Sequence, residues 1–114
     1  MAEKIQLAID YVQSHPDEVA RVLEVQGVEE TAAFLEQIAD ALSAKVLGHM
    51  LPSPAARCVQ EMSTDVAAKI LAHMHPVAVA SIFRCLNEET RESLLQRMPK
   101  RIGFMCAVIL NYAR

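Results

Sequence analysis

The chain has 114 residues, a length that suits one domain, and 53% of them are hydrophobic, enough to build a core. Its net charge of −3, with Lys and Arg scattered and not striped, argues against nucleic-acid binding. The longest apolar run, 102–110, has nine residues, well short of the roughly twenty that span a bilayer, so this stretch is not expected to insert into a membrane.

At the N-terminus, Glu3 and Lys4 lead directly into Ile5, Ala8, Ile9 and Val12. The spacing i, i+3, i+4, i+7 predicts a helix over 2–13, and the early charges speak against an export signal. From His15 to Leu110 the chain then falls into eight consecutive blocks of twelve residues with no insertion or deletion, starting at His15, Gly27, Ala39, Leu51, Ser63, His75, Asn87 and Pro99. Such self-similarity is the mark of a stacked repeat.

Each block starts with helix punctuation: Pro16, Pro52, Pro76 and Pro99, Ser63 and Asn87 as candidate N-caps, and the acids Asp17, Glu29, Asp65 and Glu89 just inside. Apolar or small residues then concentrate at the fifth, eighth, ninth and twelfth places, one face of an α-helix. Alanine fills the sixth place of six blocks, at Ala20, Ala32, Ala44, Ala56, Ala68 and Ala80. After a short turn, each block leaves a helix of about nine residues, roughly 13 Å long. Helices that short do not persist alone in water, so each must bury its stripe against neighbours, and the alanine column lets backbones approach.

The expected fold is therefore all-α: a right- or left-handed superhelix of about nine short helices on a twelve-residue repeat. One unit spans 1–114, with the N-terminal helix at 2–13 and the repeats at 15–110, and the whole reads as a fragment of a longer protein. The last helix is apolar nearly all round, although terminal repeats usually turn a polar face outward. Two readings follow: it folds into the superhelix interior, or a following domain covers it.

Little chemistry is legible. The cysteines Cys58, Cys85 and Cys106 lack metal or disulfide spacing and read as reduced core residues of a cytoplasmic protein. The acid pairs Asp17 with Glu18, Glu29 with Glu30, and Glu88 with Glu89 are explained by the helix dipole. His49, Glu61, His73 and Cys85 share the eleventh place, but neighbouring helices lie about 8–10 Å apart, too far to converge on one zinc ion. They read as solvated groove residues, and His75 as a capping neighbour of Pro76. No nucleophile motif or phosphate loop occurs, so no catalytic, cofactor-binding or metal residue is assigned, and the chain is not read as an enzyme. An extended repeat surface more often binds protein.

The blocks ADALSAKVLGHM (Ala39 to Met50), LPSPAARCVQEM (Leu51 to Met62) and STDVAAKILAHM (Ser63 to Met74), preceded by His15-Pro16, resemble the intracellular N-terminal domain of MgtE magnesium transporters. The similarity covers roughly 16–110, and the flagellar motor switch protein FliG carries a related armadillo-like unit. The resemblance implies a cytosolic regulatory domain of a divalent-cation transporter, docked onto a following CBS pair, in a parent protein that forms a homodimer. In that family magnesium between the two parts closes the channel, by holding facing acidic surfaces together. The positions that would supply its acidic ligands fall here on Lys45, Val77 and Ser81, none of them acidic, so the metal site is not carried over. Asp65 and Glu61 are acids elsewhere in the repeat. Magnesium is thus left to the intact protein, and no cofactor is assigned to this chain. The alternative is a FliG-like scaffold that binds a partner helix or a second copy and has no ion role.

Overall fold

The structure is a computed structural model that describes residues 2–112, with side chains described from Gln6 to Asn111; Ile5, on the expected N-terminal face, lies outside that range. Nine helices occur among the described residues, α1 (Ala2–Ser14), α2 (Pro16–Glu24), α3 (Val28–Gln37), α4 (Asp40–His49), α5 (Pro52–Glu61), α6 (Thr64–Ala72), α7 (Pro76–Arg84), α8 (Glu88–Arg97) and α9 (Lys100–Tyr112). The seven repeats before the last each give a helix of nine or ten residues, and α1 and α9 have 13 each.

The helix starts follow the sequence. Pro16, Pro52 and Pro76 occupy first-turn positions that need no N–H donor. Pro99 departs from that pattern, since it sits just ahead of α9. The Ser63 hydroxyl accepts the Val66 N–H at 3.4 Å, and Asn87 Oδ1 accepts that of Thr90 at 2.7 Å. His75 is itself the N-cap of α7, where Nδ1 accepts the Val77 N–H at 3.2 Å. The helices end by tightening: Met50, His73 and Cys85 donate to Leu47, Ile70 and Ile82 at 3.1, 3.0 and 2.9 Å.

Helices pack on the helix two ahead of them, so α2, α4, α6 and α8 form one layer and α3, α5, α7 and α9 the other, with α1 set against α2 and α4. The array measures 44 × 24 × 22 Å. The periodic columns become the core between the layers. The six alanines of the sixth place are all buried, as are Leu35, Leu47, Val59, Leu71 and Phe83 of the ninth. Each fully buried Leu contributes about 1.5–3 kcal/mol relative to exposure. Met50, Met62, Met74 and Met98 of the twelfth place close the layer from below. The ends of the array are less covered: Leu23, Leu95 and Ala107 of the ninth place are only half-buried, and Val22, at the eighth place of the first block, is 55% exposed.

Polar residues of the fifth place finish the packing. The Ser43 hydroxyl, wholly buried, donates to the Leu35 carbonyl at 2.5 Å, and that of Thr31 donates to Leu23 at 3.3 Å. Both acceptors lie in the last turn of the preceding helix, where carbonyls have no partner within the helix. A second set of bonds reaches further. Glu24 Oε2 accepts the Leu51 N–H at 2.7 Å, and Glu36 Oε1 accepts that of Ser63 at 3.0 Å. In each, a carboxylate at the tenth place of one block seats the first N–H of a helix 27 residues on.

Candidate functional site

The seam between α4, α6 and α7 carries Lys45, Val77 and Ser81, the positions on which the resemblance places acidic ligands. Lys45 is exposed on α4 and lines a cavity of about 290 Å³ together with Gly48, His49, His73 and His75. Val77 is 53% exposed on α7, and the Ser81 hydroxyl one turn later donates to the Val77 carbonyl at 3.1 Å. The structure thus places Lys45 on one wall and Val77 and Ser81 on α7, and none of the three supplies a carboxylate. Asp65 is occupied elsewhere, since Oδ1 accepts from Arg97 Nε at 2.9 Å. Glu61 is exposed. Among the described residues, no group of three His, Cys, Asp or Glu side chains is arranged to hold a metal ion.

The eleventh-place residues His49, Glu61, His73 and Cys85 are all exposed, on the side of each helix away from the core. For Cys85 this corrects the expectation of a core thiol: the eleventh place lies off the buried stripe, whereas Cys58 and Cys106 fall at the eighth place and are buried. Burial pushes the thiols of Cys58 and Cys106 above the usual cysteine range.

Acids gather at the other end of the array. Asp17 and Glu18 start α2, and Glu29 and Glu30 start α3, in the first turns where the helix dipole favours them. Glu18 is engaged, accepting the Tyr11 hydroxyl at 2.5 Å, and this bond holds the phenol above its ordinary range.

The C-terminal end has a different character. One side of α9 faces inward through Cys106, which is wholly buried, and through Ile102 and Leu110 against the core. The other side leaves Phe104 71% exposed, with Met105 at 44% and Val108 at 46%. Of the two readings of this apolar helix, folding inward therefore holds for one face only. Phe104 occupies the sixth place, the column in which six alanines are buried beneath the helix two ahead. The last two helices have no such successor among the described residues. Glu92 ends one layer in a polar residue and Phe104 ends the other in an apolar one.

Sequence reasoning did not single out Glu24, Glu36 or Gly48. The only mark in the sequence is that the tenth place carries Glu24 and Glu36 in two successive blocks and then Gly48 in the third.

No helix among the described residues is long and apolar enough to cross a membrane. The family described as the MgtE intracellular N domain matches residues 14–113 of the chain. No curated protein and no solved structure matches it.

Proposed function

The chain belongs to the family of MgtE intracellular N domains, and from that premise we propose that it is the cytosolic regulatory module of an MgtE-type magnesium transporter, docking through α9 onto a following CBS pair. The role is non-catalytic. The observation that carries the docking surface is the exposed Phe104 in a column whose other apolar members are buried: Ala20, Ala32, Ala44, Ala56, Ala68 and Ala80 are between 0% and 5% exposed, and Phe104 is 71% exposed. A large apolar side chain left open at the growing end of a stack is the contact that the next packed element takes up. Met105 and Val108 extend the same face.

On this reading the docking differs from one that bridges acids with ions at the seam. Lys45, Val77 and Ser81 offer no carboxylate there, and the apolar face of α9 supplies the attraction instead. Magnesium then acts on ligands contributed by the rest of the transporter.

The test is association of this chain with the separately produced CBS pair of its parent protein, followed by calorimetry. Phe104→Glu is expected to weaken association at least tenfold, the effect of placing an unpaired charge in an apolar contact. Its melting temperature should stay at that of the unchanged chain, because Phe104 is exposed here. Equal association of both chains would remove α9 from the interface, and a partner helix captured in its place would support the scaffold reading.

A further inference from the structure

The bonds from Glu24 to Leu51 and from Glu36 to Ser63 set a rule that the next repeat breaks. Advancing both members by one block pairs the tenth-place Gly48 with the first-place His75, and Gly48 has no side chain to reach the His75 N–H. The pairs beyond are Gln60 with Asn87, which form no such bond among the described residues, and Ala72 with Pro99, whose nitrogen carries no hydrogen. At Gly48 the carboxylate is missing while the donor remains. A Cβ added to Gly48 would meet nothing within 4 Å, so the space that Glu24 and Glu36 fill in their own repeats is open here.

That space is the cavity of about 290 Å³ between α4, α6 and α7. Its walls carry Lys45, His49, His73 and His75, and among the described residues no acidic side chain lines it. The setting therefore brings the Lys45 ammonium beside a backbone N–H at a helix start. Twice in the same protein, the equivalent N–H holds a carboxylate at 2.7 and 3.0 Å.

We propose that this cavity is a carboxylate-binding site, in which an external carboxylate takes the missing position opposite Gly48, accepting the His75 N–H and facing Lys45. The ligand is either a free small carboxylate or an Asp or Glu side chain of a docked protein. The site is independent of the α9 surface, which lies on other helices.

The experiment is an amide and imidazole NMR titration of the chain with sodium succinate, against matched sodium chloride, and in parallel with a short peptide carrying Glu and its Gln counterpart. A saturable shift of the His75 amide with succinate identifies a free carboxylate. A shift with the Glu peptide alone, succinate and the Gln peptide being silent, identifies a protein carboxylate. Either upholds the site. Gly48→Glu, which places a carboxylate in the open space, should move the His75 amide without any ligand and reduce the response about tenfold or more. Lys45→Gln, at an exposed position, should weaken the response about tenfold with no change in melting temperature. No shift at His75 with either probe, or an undiminished response in Gly48→Glu, would overturn the proposal.

Discussion

Glu24 and Leu51 lie 27 residues apart, yet the carboxylate of one accepts the backbone N–H of the other at 2.7 Å. The contact joins the end of α2 to the start of α5. It is largely covered, the Glu24 side chain being 11% exposed, and Arg21 closes it from the side at 2.7 Å. The Leu51 N–H first, and then Arg21 against the opposing effect of burial, hold the Glu24 carboxyl below the ordinary glutamate range.

A carboxyl whose folded-state pKa is depressed adds stability above its unfolded pKa and loses it as pH falls through the folded value. For Glu24 that contribution is complete above about pH 4.5 and disappears below it. Thermal melts between pH 7 and pH 2 should show a steeper acid fall for the unchanged chain than for Glu24→Gln. Parallel curves would mean that the bond to Leu51 does not form in solution.

The alanine column predicts the largest single loss. Ala56 and Ala68 are 2% and 3% exposed, so Ala56→Glu or Ala68→Glu buries a charge with no partner in the middle of the stack. The expected cost is several kcal/mol, about 3 or more, and appears as a collapse of the urea midpoint. Retention of the wild-type midpoint by either variant would contradict the layer packing.

Ser43→Ala removes a wholly buried hydroxyl and strands the Leu35 carbonyl it caps. The expected cost is about 1–2 kcal/mol in equilibrium urea unfolding. Thr31→Ala should cost less on hydrogen-bonding grounds, because its bond to Leu23 is longer at 3.3 Å.

The three cysteines should separate by rate. Cys85 is exposed, and Cys58 and Cys106 are buried with thiols pushed up by that burial. At neutral pH a thiol reagent should label one site quickly and the other two only in denaturant, as read by intact mass. Prompt labelling of all three would mean that the core opens far more readily than this packing allows.

Much of this architecture is legible in the sequence because the repeat imposes it. A strict twelve-residue period with apolar places at helical spacing leaves each helix one face to bury, and Ser63, Asn87 and Pro76 mark where helices begin. The cross-links were not legible in the same way. The acceptor of the Glu24 bond is a backbone N–H, which leaves no mark on residue type at Leu51, and the fifth-place hydroxyls of Thr31 and Ser43 look in sequence like tolerated small residues. Cys85 departs from its expected burial because its chemical type suggests a core thiol while its place in the block points outward. The split character of α9 was hidden because both of its faces are apolar, so only the presence or absence of a covering helix distinguishes Cys106 from Phe104.

The most direct measurement is magnesium flux through the intact protein in proteoliposomes at low and high magnesium, with Phe104→Glu compared with the unchanged protein. Docking through α9 predicts that the variant conducts but loses much of its closure at high magnesium, while its isolated N-terminal domain melts like the unchanged one. Full magnesium-dependent closure in the variant would contradict the proposed docking through α9.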